Sequence, residues 1–532
     1  MKKLITVPPL LLFTIFISAQ QTIDVLHYRF EIGLNDTSDI ITGKASITLR
    51  FLKETDQLQL DLASAKENKG MAISSLMGTA SDNKMLQHKQ QNDKIITQLP
   101  QKTKTGDTAT FIILYRGIPA AGLIISKNKY GHRTFFADNW PDRGHNWLPC
   151  VDDPADKASV EFIVTAPQHY QVVANGILTE ETNLPDNKKL THWKEDIPVA
   201  TKVMVIGAAD FAVTLAGVID NCIPVYSWVY PEDRDKGFYD YALATEILPF
   251  FIKNVGPYGY KKLANVQSKT SFGGLENANT IFYSESSVTG TRIAESLLTH
   301  EIAHQWFGNM ATEKSFAHIW LSEGFATYFT ILYFEKKYGK DTATYMLKED
   351  RKQVIAFVKR SDRTVVDNDP DYMQLLNANS YQKGGWILHM LRRQLGDSVF
   401  HRSIKTYYAT YAGKNADTKD LQQIFEKISG KDMSVFFKQW LYTPGIPRLD
   451  IKWTWSDKDK EILLTVKQLQ KPFFQFSLEI GIGLASGKIQ FETMEVNQQE
   501  QTFSFSLKEK PQKLSLDPNT SLLFHGNITT AN

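Results

Sequence analysis

Alternating apolar and polar residues dominate the chain from Gln21 to about Tyr230. Leu26, Tyr28, Phe30, Ile32 and Leu34 fall at every second position, followed by Ile41, Gly43, Ala45, Ile47, Leu49 and Phe51, then Leu58, Leu60 and Leu62. A period of two sends one set of side chains to one face of a strand, and the polar turn Asn35-Asp36-Thr37-Ser38-Asp39 separates the first two runs. The pattern predicts a large antiparallel β domain.

After the charged joint Pro231-Glu232-Asp233-Arg234-Asp235 the period becomes helical. Ala242 to Val255 stops at Gly256-Pro257, a segment from Leu297 ends near Gly308, and a third runs from Trp320 through Tyr333 towards Gly339. Gly385 to Leu395 and Thr418 to Ile428 follow, each with a glycine just beyond its end. Pro444-Gly445-Ile446-Pro447 breaks the helical region. Beyond it Ile451, Trp453 and Trp455 alternate, then Ile462, Leu464 and Val466, the pattern of a small β-sandwich. The expected fold is multidomain α+β, with a signal peptide at 1–20, an N-terminal β domain at 21–230, a mainly helical domain at 231–445 and a C-terminal β-sandwich at 446–532.

Bulk composition narrows the field. The 532 residues are 42% hydrophobic with a formal charge of +2, so nothing favours a polyanionic partner such as nucleic acid. Cys150 and Cys222 are too few for a disulfide framework, and their pairing is left open. Lys2-Lys3, the apolar run Leu10 to Ile17 and the small residues Ser18-Ala19 before Gln20 read as a secretory signal, with the mature chain expected outside the cytoplasm, periplasmic or extracellular. The apolar run is short and preceded by Pro8-Pro9, which disfavours a spanning helix, so no stable membrane insertion is expected.

The chemistry concentrates in His300-Glu301-Ile302-Ala303-His304 and, after eighteen intervening residues, Glu323. Histidines at i and i+4 lie one helical turn apart on one face, so both imidazoles can reach a single ion. Glu323 supplies a third ligand, and two His plus one Glu with an open position is the ligand set of catalytic Zn2+, one per chain. Glu301 stands beside them as a base for a metal-activated water. A lone H-E-x-x-H is expected by chance in about one chain in a hundred of this length, but a second acid at ligand-compatible spacing and the apolar setting Leu297-Leu298 and Trp306-Phe307 argue against accident. Gly273-Gly274-Leu275-Glu276-Asn277 can bring backbone close to an extended peptide and offer Glu276 to a cation. Tyr381, in Tyr381-Gln382-Lys383-Gly384, could donate to an oxyanion. Read singly, these two segments are better explained as an ordinary glycine turn with a solvated Glu and a half-buried tyrosine at a helix start.

In order, Gly-Gly-Leu-Glu-Asn, His-Glu-x-x-His, Trp320-Leu321-Ser322-Glu323-Gly324 and Tyr-x-Lys-Gly resemble the aminopeptidase N family of gluzincins, which includes leukotriene hydrolase-type enzymes. The likeness also takes in Leu148-Pro149-Cys150-Val151-Asp152-Asp153-Pro154 with Lys157-Ala158, and Gln439-Trp440-Leu441 with Gly445-Ile446-Pro447. It implies a saddle-like β domain and a thermolysin-like catalytic domain. With no room for a helical solenoid after residue 450, a short form with an open cleft is expected. It further implies zinc on His300, His304 and Glu323, Glu301 as base, Tyr381 on the oxyanion, Glu276 on the substrate's free N-terminus, and Gly273, Gly274 and Asn277 along the substrate. The partners implied are peptides with a free N-terminus; oligomeric state is left open.

Two departures stand out. Ser322 replaces the family's usual Asn before the third ligand, with little effect expected. Where many members carry Gln-x-Glu-Pro, this chain has Asp138-Asn139-Trp140-Pro141, so Asp138 is expected to line the first-residue pocket and Trp140 to shape it. His145 and His318 are expected to be structural. A zinc endopeptidase is disfavoured by Glu276, since an amine anchor serves no purpose in mid-chain cleavage. An exported binding protein with a vestigial site should lack a ligand, the base or the tyrosine, and none is missing.

Overall fold

The computed structural model describes residues 21–78 and 84–530; the expected export signal lies outside them. A seven-stranded sheet forms the body of the N-terminal region, in the order Ile177–Leu184, Lys188–Ala200, Lys157–Pro167, Ile23–Gly33, Ile41–Phe51, Thr108–Ile118, Gly70–Gly78. Its neighbours are antiparallel except Ile23–Gly33 with Lys157–Pro167, which run parallel. Ile41, Gly43, Ala45, Ile47, Leu49 and Phe51 all face inwards, as the alternation predicts. In the first strand a bulge between Val25 and His27 shifts the phase, so Val25 is buried and Leu26 only half so.

The boundary expected at residue 230 moves. Ala212–Ile219 and Ile223–Val229 are strands of a five-stranded sheet that continues through Leu263–Ser268 and Thr280–Ser284 to the edge strand Gly274–Leu275. Strand pairing places the division just before Ala212, because alternation reveals a strand but not the sheet it joins.

Helices follow in the order α1 Arg234–Tyr241, α2 Ala244–Asn254, α3 Glu295–Ala303, α4 Trp320–Tyr338, α5 Lys340–Val358, α6 Gly384–Leu395, α7 Asp397–Tyr411, α8 Thr418–Ser429 and α9 Ser434–Leu441. The segment expected to end near Gly308 leaves regular helix at Ala303; backbone bonds Gln305 N to Ile302 O and Trp306 N to Ala303 O tighten it into a turn. α4 is buried from Trp320 to Tyr333, Thr327 excepted, which makes it the central post of the helical region. No helix among the described residues is long and apolar enough to cross a membrane. The last region is all β, with sheets of four and three strands burying Ile451, Ile462, Leu464 and Val466 on one and Leu478, Ile480 and Ile482 on the other. Cys150 (buried) and Cys222 (exposed) are both free thiols.

Candidate active site

α3 and α4 run antiparallel because they are pinned at both ends. Glu295, at the start of α3, accepts hydrogen bonds from Tyr333 (3.1 Å), Lys337 (2.5 Å) and Tyr338 (2.5 Å) near the end of α4. At the other end His300 Nε2 and His304 Nε2 each lie 3.3 Å from Glu323 Oε2, and the two imidazole nitrogens are 3.1 Å apart. A tetrahedral ion with bonds of about 2.0–2.1 Å spaces its ligand atoms roughly 3.3 Å apart. The donor set and its spacing fit Zn2+.

Orientation of the ligands is fixed from behind. His304 Nδ1 faces Phe307 O at 3.1 Å and Ser322 Oγ at 2.9 Å, which leaves Nε2 to look inwards. Ser322, read from sequence as an inconsequential replacement, therefore touches a ligand, and a Cβ on Gly308 would overlap its hydroxyl. Neither is visible from spacing, since the turn after α3 brings them together.

Tyr381 arrives through a glycine crossing. A Cβ on Gly324 of α4 would lie 2.8 Å from Gly384 Cα at the start of α6, so only this pair lets the helices approach so closely. Tyr381 sits in a π-helical turn, Asn379–Lys383, leading into α6. That turn is tied down by Ser380 Oγ to Leu375 O (2.5 Å), Asn379 Nδ2 to Arg363 O (2.8 Å) and Lys383 Nζ to Gly445 O (2.8 Å). The Tyr381 ring stacks on His300 with centroids 5.9 Å apart. Burial, reinforced by the Glu323, Glu276 and Glu301 carboxylates, pushes its phenol well above the usual range, so it remains a donor.

Glu276 follows the edge strand Gly274–Leu275, which pairs on one side with Thr280–Ser284 and, among the described residues, has no partner strand on the other. Its own carbonyl is clamped by Gln305 Nε2 (3.0 Å) and Asn309 Nδ2 (2.6 Å). Its Oε1 is buried with no hydrogen-bond partner among the described residues. Glu301 packs against Gly274 so closely that a Cβ there would overlap its carboxylate.

Glu276, Glu301 and Glu323 thus share one cavity of about 230 Å³, with His300, His304 and Tyr381 in its wall. Burial lifts the Glu301 carboxyl well above the carboxylate range, and Glu276 and Glu323 add to the lift. Burial also raises Glu276, with Glu323 adding to it and His304 and Lys202 opposing. Burial alone would lower His304, but the three carboxylates outweigh it and raise it to about 10. Burial would raise Glu323, but His304 and His300 hold it well below the usual range. The site is short of positive charge. A dication and one ammonium would balance three carboxylates.

Of the expected substrate residues, Gly273, Gly274, Glu276 and Trp140 line the cavity. Asn277 does not: the chain turns after the edge strand, with Asn277 N donating to Leu275 O at 2.9 Å, and Asn277 is fully buried outside the cavity lining. Asp138 is also corrected. It is buried one layer back, ion-paired with Arg143 and accepting from Ser271 Oγ at 3.4 Å. Trp140 stands edge-on to Phe272 (6.1 Å) and Phe316 (6.0 Å). His145 is held by Asp152 at 2.8 Å and His318 by Thr418 at 2.9 Å, both away from the cavity. Sequence reading missed the wall residues Phe272, Leu297 and Leu376. Leu297, three residues before His300 on the same helical face, was within reach of it.

Residues 25–203 match the family model described as the peptidase M1 N-terminal domain, and residues 239–440 match the peptidase family M1 domain. Aminopeptidase A of Gloydius brevicauda is 23% identical over 490 residues, 86% of this chain and 50% of that protein. Aminopeptidase M1-C of Oryza sativa subsp. japonica is 27% identical over 337 residues, 59% of this chain and 37% of that protein. Probable aminopeptidase 2 of Sulfurisphaera tokodaii is 27% identical over 345 residues, 61% of this chain and 44% of that protein. The chain spans half or less of the length of these relatives.

Proposed function

Since this chain belongs to peptidase family M1, we propose that it is a zinc-dependent aminopeptidase removing N-terminal residues from peptides outside the cytoplasm. The observation that carries this reading is the cluster of three buried carboxylates in which Glu276 Oε1 has no hydrogen-bond partner among the described residues. His300, His304 and Glu323 would hold Zn2+, which when bound makes water a nucleophile at neutral pH and polarises the scissile carbonyl. Glu276 receives the substrate's ammonium, which fixes how far the chain can enter and makes cleavage exopeptidic. The free edge of Gly273–Leu275 offers backbone groups for the first substrate residues to pair with as an added strand.

Glu301, which lines the same cavity as His300 and His304, takes the proton from the attacking water and returns it to the leaving amine. Tyr381 donates its phenolic hydrogen to the oxyanion formed on the carbonyl. This reading includes the thermolysin-like description of the helical region and the sandwich description of the C-terminal sheets.

An arylamide panel tests it, each substrate with a free and an acetylated N-terminus, with and without a zinc chelator. Cleavage of free substrates only, abolished by chelation and restored by zinc, is expected. Equal cleavage of acetylated substrates would remove the role of Glu276 and favour an endopeptidase.

A further inference from the structure

The apolar wall of the cavity is built from Trp140, Phe272, Leu275, Leu297 and Leu376. Its charged lining residues other than the imidazoles are the carboxylates Glu276, Glu301 and Glu323, each with a role in the reading above. A cation stands just behind this wall. The Arg143 guanidinium lies 5.8 Å from the centroid of Phe272, and its Nε donates to Trp140 O at 2.7 Å. Asp138, with its side chain 2% exposed, pairs with that guanidinium directly.

We propose that the Asp138–Arg143 pair is a specificity lock, which makes the first-residue pocket electrically neutral and restricts the enzyme to substrates with an uncharged, apolar first side chain. The proposal rests on the aminopeptidase reading. A glutamyl or aspartyl side chain in this pocket meets aromatic and aliphatic walls and three carboxylates, and the cations behind the wall are already cancelled, Arg143 by Asp138 and Lys202, 5.7 Å from the Phe316 ring, by Glu313. A lysyl or arginyl side chain loses its hydration against the same walls with no free acid beyond the Glu276 needed for the amine. Neither charge has a counterpart, whereas leucyl or phenylalanyl side chains bury apolar surface. The lock also predicts how to open the site in either direction. Removing the carboxylate exposes a guanidinium behind Phe272, and removing the guanidinium exposes a carboxylate.

The test compares kcat/KM for leucyl, glutamyl and lysyl arylamides in the wild type, Asp138→Asn and Arg143→Gln, with folding checked by circular dichroism. The wild type should favour the leucyl substrate over both charged ones by at least about 100-fold. D138N should raise kcat/KM for the glutamyl substrate about tenfold in absolute terms, and R143Q should do the same for the lysyl substrate. Comparable cleavage of charged and apolar substrates by the wild type overturns the proposal, as does a folded D138N with unchanged glutamyl turnover. Should D138N fail to fold, R143Q with no lysyl gain overturns it. Absence of turnover for every unblocked substrate removes the aminopeptidase reading itself, a result distinct from a flat preference.

Discussion

Two buried polar clusters lie on either side of the turn Glu276–Asn279, and they differ in one respect. Behind the turn, Lys262 Nζ donates to Asn279 Oδ1 (2.6 Å), Thr280 Oγ1 (2.7 Å) and Ala174 O (3.0 Å). Glu195 accepts from Asn279 Nδ2 (2.6 Å) and Ile197 N (2.8 Å). These contacts bind the N-terminal sheets to the five-stranded sheet, and both charged groups are met. In front of the turn, Glu276, Glu301 and Glu323 share a cavity with too few cations, and one Glu276 oxygen has no hydrogen-bond partner among the described residues. Equal burial therefore serves opposite ends: a satisfied network stiffens the scaffold, while an unsatisfied one stores a demand for ligands. Gln305 joins the two, bonding Asn279 N through Oε1 (2.7 Å) and Glu276 O through Nε2.

The largest effect should come from the front cluster. Glu301→Gln should lower kcat by about 10²- to 10⁴-fold while zinc content measured by atomic absorption stays at one per chain. Taking one like charge out of the cavity should also raise the melting temperature of the metal-free protein. A lower melting temperature would mean that Glu301 stabilises the fold and would break the contrast.

Lys262→Met should do the reverse, costing roughly 3 kcal/mol in urea unfolding with little change in kcat per folded molecule. A large kcat loss at full stability would show that the rear cluster acts in the chemistry. Ser322→Ala, which removes a hydroxyl from His304, should weaken zinc affinity about tenfold in a competition titration, with a smaller change in kcat of the zinc-loaded protein.

The rear cluster also carries a pH dependence. Burial holds the Lys262 ammonium down to about 7, opposed by Glu195, whereas an unfolded lysine titrates at about 10.4. Between those values the unfolded chain binds the extra proton, so the Lys262 contribution to stability is fully present above about 10.4, declines as pH falls from there and is gone below about 7. The stability of the wild type relative to Lys262→Met should therefore grow from pH 7 to pH 9. A gap that shrinks over that range would mean the folded state keeps the lysine charged.

What the sequence determined by itself was whatever depends on local geometry. Four residues make one helical turn, so His300 and His304 had to face the same way; two residues make one pleat, so Ile41 to Phe51 had to bury alternate side chains. Helix stops at Gly256-Pro257, Gly339 and Gly396 are legible for the same reason. The tertiary structure decided whatever depends on which segments meet. A bulge transferred burial from Leu26 to Val25, strand pairing carried Ala212–Val229 into the catalytic sheet, and neighbouring side chains drew Asp138 and Asn277 behind the cavity wall. Ser322 became a support for His304 only because α3 and α4 are antiparallel, and Tyr381 reached His300 only because Gly324 and Gly384 let α4 and α6 touch. Backbone periodicity is written residue by residue, but a partner across a sheet or a helix crossing is chosen by packing of the whole chain.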